Sequence, residues 1–304
     1  MNRRGWLLFA AMSFLWGIPY LLIKEAVDTI SPAMVVAGRT TVGAAVLLPI
    51  AAARGSLRPA AACWPWVLAF GAVEMAGPFM LLSHAEQTLP WGLTGLLVAT
   101  VPLFGAVIAF AAGDRSALGP VRLGGLAVGI AGVALIVNGS SGDGSVTGSA
   151  VAEVLAVAVL YSIAPFIVSG RLTGVPGIGT AALSMSAVAV LYLPIGLATQ
   201  DGTPSTRSIG AVVLLGVVCS AIAFVVFFRL INEVGPARAT LFTYVNPVVA
   251  LTLGTLVLDE ALSPGLLIGF PVVLVGCWLA ASGGSVKVVD PGEVDRPATL
   301  PPTS

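Results

Sequence analysis

The sequence predicts an all-α polytopic membrane protein, with ten transmembrane helices arranged as two inverted five-helix repeats. Three observations predict it. The 304 residues are 57% hydrophobic and only 9% charged, where a soluble domain has about 45–50% apolar and about 25% charged residues. Ten apolar segments are each long enough to cross the roughly 30 Å hydrocarbon core, which takes about 20 helical residues. Finally, one shift of 145 residues places Pro247 on Pro102, Asp259 on Asp114, Gly269 on Gly124, Gly216 on Gly71, Pro194 on Pro49 and Leu160 on Leu15. Marks this widely spread indicate one unit written twice.

In chain order the segments are 5–23, 32–53, 64–83, 91–112, 120–138, 148–169, 177–198, 208–230, 237–258 and 264–282. Lipid offers the backbone no hydrogen bonds, so each segment is a helix or part of a closed barrel. The runs are continuous rather than alternating, which selects helices. The start, MNRRGWLLFAAMSFLW, has the basic-then-apolar order of a signal peptide but no clean small-residue cleavage site, and reads as the first span. Residues 5–138 and 148–283 are the expected repeats, joined by the Gly/Ser-rich linker 139–147. The polar, proline-rich tail 284–304 is expected to be disordered.

Charge supports the count. With an inside N-terminus and ten crossings, the cytoplasmic segments hold Arg3, Arg4, Arg54, Arg58, Arg115, Arg122, Arg171, Arg229, Arg238, Lys287 and Arg296, eleven of the 14 basic residues. Lys24 and Arg207 fall outside, and Arg39 lies within a span. Short loops follow this positive-inside bias. A cell-membrane location with both termini cytoplasmic is therefore expected. Five helices per half is an odd number, so the second copy enters from the opposite side. Such inverted repeats recur in secondary transporters, where the two halves rock about a central site.

Several motifs narrow the identity. They are FLWGIPYLLIK (14–24), SPAMVVAGRT (31–40), TVPLFGAVIAFAAGDRSALGPVRLGGLAVGIAGVAL (100–135) and TYVNPVVALTLGTLVLDEALSPGLLIGFPVVLVGCWLA (243–280). Together they resemble the drug/metabolite transporter superfamily, specifically EamA-type members with two EamA domains, over residues 5–283. Asp114-Arg115 departs from the Glu-Arg common there, and Ser162 stands where the second copy would repeat Gly17. The resemblance implies a carrier of small metabolites, often amino acids or related compounds, and not an enzyme. It also matches Arg39 to an arginine common in the family.

Ionisable residues within spans are costly and by default face a cavity or the bundle interior. Arg39, roughly 10 Å below the outer face at 1.5 Å per residue, can hold a substrate carboxylate bidentately or pair with a carboxylate that locks helices together. Glu74 and Glu153 are candidates for proton coupling, since a carboxyl withdrawn from water holds a proton more readily. Trp16 and Tyr161 are repeat mates at matching depth, candidates for facing walls of a central cavity. Tyr20, Tyr244 and Asn246 add polar groups mid-span. Pro19, Pro102, Pro165 and Pro247 each remove a backbone hydrogen bond and are candidate hinges. His84 is the single histidine, either a pH sensor or a solvated helix end. Trp91 is expected in the interfacial belt. Gly125/Gly129 and Gly265/Gly269 allow close helix approach, inside one chain or at a homodimer face.

These features also bound the partners. Zero net charge argues against nucleic acid. One histidine and three unclustered cysteines argue against a metal site. The absence of a GxxxxGK[ST] motif argues against ATP. No cofactor is expected, and the partners are a small-molecule substrate and the lipid bilayer. The favoured function is a secondary exporter of small metabolites, amino acids or related compounds foremost, by alternating access with possible proton coupling. The alternatives are a multidrug or cationic-compound exporter and a non-transporting scaffold or receptor.

Overall fold

A computed structural model describes residues 2–111, 113, 119–140, 147–234, 242, 245, 246, 248, 249, 252 and 264–282. Every regular element among them is helical. The helices are α1 (Arg3–Leu15), α2 (Pro19–Val27), α3 (Pro32–Ala53), α4 (Leu57–Ala62), α5 (Trp64–Gly71), α6 (Gly77–Ala85), α7 (Trp91–Val98), α8 (Val101–Ala111), α9 (Pro120–Ser140), α10 (Gly148–Arg171), α11 (Gly177–Thr199), α12 (Thr206–Gly216), α13 (Ala223–Val234) and α14 (Pro264–Ser282). Two π-helical turns, π1 (Ala72–Ala76) and π2 (Val217–Ile222), join α5 to α6 and α12 to α13.

Among the described residues seven helical stretches, of 21 to 29 residues, are long and apolar enough to cross a membrane. They coincide with the first four and the sixth, seventh and eighth predicted spans. Helices α9 and α14 lie on the fifth and tenth. Most of the predicted ninth span, 237–258, lies outside the described residues, as do residues 141–146 of the linker 139–147 and the whole of the tail 284–304.

Local chemistry sets the boundaries. The side chains of Asn2, Ser31, Thr147 and Ser205 accept the N–H of Gly5, Met34, Ala150 and Ser208, capping α1, α3, α10 and α12. The first span runs to Val27, four residues past its predicted end, and is interrupted at Trp16–Ile18. Pro19 has no N–H to continue α1, so it starts α2 instead. Gly17 has no Cβ, which would stand 2.6 Å from Val249 Cγ1.

The 145-residue shift is visible in the elements. It carries α3 onto α11, α9 onto α14, and π1 onto π2 at their first residues. Helices α3 and α11 pack on one another, as do α9 and α14. Gly71 abuts Ser184, and its mate Gly216 abuts the carbonyl of Arg39, the mate of Ser184. A Cβ on Gly276 would stand 2.4 Å from Gly129 N and 2.8 Å from Gly125 O. The small residues of α9 thus meet α14 backbone to backbone, within the chain.

Small and aliphatic side chains fill the interface between these helices, and Val190, Leu191 and Leu197 of α11 point outward, 75%, 54% and 65% exposed. That outward apolar surface belongs in lipid. The chain is a multi-pass membrane protein. Trp91 corrects an expectation. It is fully buried rather than in an interfacial belt, packed among Leu82, Leu89 and Val154, because α7 enters behind α2 and against α10.

Candidate functional site

Arg39 is a buried charge within a membrane-length helix. It projects from α3 and is 5% exposed. Its Nε donates to Ser220 Oγ at 3.0 Å, and its Cζ lies 3.7 Å from the centroid of the Phe79 ring. Ser220 is presented by π2 and Phe79 by α6, just beyond π1. π-turns recur at functional sites because the inserted residue re-aims the side chains beyond it. Among the described residues Arg39 has no ion pair, since the bridges formed are Arg4–Glu233, His84–Glu153 and Arg207–Glu25. Among the described residues, therefore, no carboxylate pairs with Arg39 to lock helices together. Tyr20, Tyr161, Cys219 and Glu86 lie within electrostatic reach of it, and Tyr161 lies within reach of Glu74 as well.

Trp16 and Asn246 form a second group. The Trp16 ring contacts Phe224, Phe227 and Phe242 at centroid distances of 5.8, 5.1 and 5.1 Å. It makes no ring contact with Tyr161 among the described residues. Trp16 Nε1 donates to the Cys219 carbonyl at 3.3 Å. The Asn246 amide nitrogen, in the orientation that satisfies both ends, donates to Ser13 O at 3.1 Å and Phe242 O at 3.0 Å. The two groups meet in π2, where Cys219 receives Trp16 and Ser220 receives Arg39.

The remaining candidates separate from this centre. Glu153 faces His84, with Nδ1 2.9 Å from Oε2, near the end of the bundle where α6 stops. Of the candidate hinges, Pro19 is the first residue and Pro102 the second of the helices that resume interrupted spans, whereas Pro165 lies inside an unbroken α10. Tyr244 and Pro247 lie outside the described residues. A cleft of about 440 Å³ opens at the helix ends, lined by Asp28, Ser31, Met80, His84, Thr199 and Asp201 among others. It does not enclose Arg39. Among the described residues no group of three His, Cys, Asp or Glu could hold a metal.

Sequence reasoning missed Ser220, Phe79 and Glu86. Serine and phenylalanine in an apolar span carry no signal of their own. Glu86, two residues beyond His84, is fully buried. Lys24 Nζ reaches over it, donating to the carbonyls of Glu86 at 2.7 Å and Leu89 at 3.2 Å.

The sequence pattern of the EamA-like transporter family matches the chain twice, over residues 3–138 and 148–282. The chain belongs to the EamA-like transporter family. Its relatives are transporters, not enzymes. This EamA-like chain is 30% identical over 267 residues to a probable terminal-alkyne amino-acid exporter of Streptantibioticus cattleyicolor, covering 87% of the chain and 89% of the relative. It is 28% identical over 257 residues to YedA, an uncharacterized inner membrane transporter of Escherichia coli K12, covering 83% and 82%. One crystal structure shares the fold, with a TM-score of 0.65 at 24% identity over 92% of this chain and 98% of the other.

Proposed function

We propose that this EamA-like protein is a secondary exporter of small carboxylate-bearing metabolites, amino acids or related compounds, that binds the carboxylate on Arg39. The observation that carries the proposal is the state of that guanidinium. It is almost fully buried, its Nε is taken by Ser220, Phe79 covers one face, and no carboxylate of the described residues pairs with it. A charge at this depth without a partner marks a substrate path. The edge formed by its two Nη groups has the fork geometry that carboxylates fit.

The halves are read as two inverted five-helix repeats, ten spans in all, with both termini cytoplasmic at the cell membrane. The pairing of α3 with α11 and α9 with α14 supports that reading, because helices beside a pseudo-twofold axis meet their own mates. Rocking of one half on the other then gives alternating access. The name of the S. cattleyicolor relative supports amino-acid export. For coupling, Glu153 is engaged by His84, which leaves Glu74 as the candidate carboxylate.

Thermal stabilisation of the purified protein in detergent tests the proposal, with amino acids, dipeptides, purines, sugars and cationic drugs as probes. A ligand at 100 times its Kd stabilises the folded state by about 2.7 kcal/mol. The expected result is an upward shift with amino acids that Arg39→Ala abolishes. A shift with bulky cations only, surviving Arg39→Ala, would refute the carboxylate anchor.

A further inference from the structure

At the end of the bundle opposite Arg3, outer on the proposed topology, the loop between α2 and α3 meets the loop between α11 and α12. Thr29 Oγ1 donates to the buried Ser208 Oγ at 2.8 Å and accepts from the Ser205 N–H at 3.0 Å. The Gln200 amide bridges the same loops. Its Nε2 donates to Thr29 O at 3.0 Å, and its Oε1 accepts from the Ser31 N–H at 2.9 Å. Ser208 Oγ donates in turn to Glu25 O at 2.8 Å. The cleft at this end is lined by Thr29, Ser31 and Thr199, and Arg39 is not in its lining. The 145-residue shift carries Thr29, Gln200, Ser205 and Ser208 onto Gly174, Gly55, Ala60 and Cys63 at the opposite end. Among the described residues no side-chain hydrogen bond joins the two loops there, and Thr173 bonds back to Ser169 O within α10. The contact made there instead is the Arg171 guanidinium over the Trp66 ring, at 4.6 Å, a weak tie at an exposed site.

Resting on the reading of two rocking halves, we infer that the Thr29–Gln200–Ser208 cluster is a latch that holds the transport path shut at the outer end, and that the inner end, lacking one, opens at lower cost. The argument is a difference between mated ends. In an inverted repeat the two open packings are related by the pseudo-twofold axis. Contacts common to both ends cancel, and the unmatched ones set the equilibrium between the packings. Five hydrogen bonds between the halves run through Thr29, Gln200 and Ser208. A neutral hydrogen bond is worth roughly two- to tenfold in an equilibrium, so the set outweighs one cation–π contact at the other end. The exposed Arg207–Glu25 pair beside it adds little.

Distances between paired nitroxide labels test the latch in the full-length protein in liposomes. One pair is attached through Asp28→Cys and Asp201→Cys at the outer end, the other through Arg58→Cys and Thr173→Cys at the inner end. All four positions are exposed, and the background carries Cys63→Ser, Cys219→Ser and Cys277→Ser. The latch variant combines Thr29→Val, Gln200→Ala and Ser208→Ala, which removes all five bonds. Thr29→Val alone removes two, and it serves if the triple variant does not melt cooperatively. With the latch intact, the outer pair is expected to show one short distance. The triple variant adds a longer one, raising the ratio of open to closed by about thirtyfold or more at twofold per bond, while the inner pair shifts toward its shorter distance. An outer distribution unchanged by the variants, with the inner pair moving between two distances, overturns the latch and leaves the rocking halves standing. So does a dominant long outer distance with the latch intact. One fixed distance at each end in every variant, with and without saturating amino acid, overturns the rocking reading along with it.

Discussion

Alanine at Gly216 is the substitution that links the packing of the halves to the site. The new Cβ would stand 2.6 Å from Val42 Cβ and 2.9 Å from the Arg39 carbonyl oxygen. Ordinary contact begins at 3.4 Å, so α3 must retreat by about half an ångström at Arg39 and further at Val42, since neither neighbour is a flexible chain end. Overpacking of this kind costs roughly 1–3 kcal/mol. Alanine also favours a helix over glycine by about 1 kcal/mol, which offsets part of the loss. Gly210 supplies the control. It lies on the same helix α12 with nothing within 4 Å of its virtual Cβ, so Gly210→Ala carries the gain without the clash. The difference between the two variants isolates the steric cost, roughly 1–3 kcal/mol, or some 2–10 °C in melting midpoint. Thermal unfolding in detergent measures it, and amino-acid binding should weaken in Gly216→Ala alone as Arg39 shifts. Variants whose stabilities agree within about 0.5 kcal/mol, inside the range of ordinary surface substitutions, would refute the close approach of α12 to α3.

Three other predictions rest on individual contacts. Ser220→Ala removes the acceptor that orients the Arg39 Nε. A hydrogen bond to a charged group is worth about 1.5–3 kcal/mol, so ligand affinity should fall by at least tenfold, with partial rescue by Ser220→Thr in the same binding assay. Trp91 is fully buried, yet its indole N–H has no partner among the described residues. Trp91→Phe should therefore cost far less in thermal unfolding than the roughly 3–5 kcal/mol of Trp91→Ala. Glu153→Gln breaks a pair with an exposed His84, worth about 0.2–1 kcal/mol. Stability should change by no more than that and transport should persist, whereas loss of transport would return Glu153 to a coupling role.

The span pattern was legible because lipid imposes a single rule, a helix-length apolar run between polar breaks. Segments 32–53 and 264–282 coincide with α3 and α14 at both ends. The repeat was legible because glycines and prolines leave marks that survive divergence. Gly71 and Gly216 mark the last residues before π1 and π2, although the sequence carries no sign of a π turn, which alters only the helical pitch. Arg39 stood out because a charge in a span is rare. Its partners did not, since Ser220 and Phe79 acquire their roles only when the inserted residues turn them toward α3. Trp91 was misplaced because an indole suits either an interface or a core, and the packing of α7 decides between them. Glu153 was legible as a carboxylate within a span, five residues past the start of α10, but its pairing with His84 was not, because only the packing of α6 on α10 brings residues 84 and 153 together.

The most direct test of the account is counterflow in proteoliposomes, with labelled amino acid outside and unlabelled amino acid trapped within. Wild-type protein should accumulate label transiently. Arg39→Lys should retain a small part of this activity, because an ammonium keeps the charge and loses the fork, and Arg39→Ala should show none while melting cooperatively in detergent. Full counterflow by a folded Arg39→Ala protein would contradict the claim that the carboxylate of the substrate is carried on Arg39.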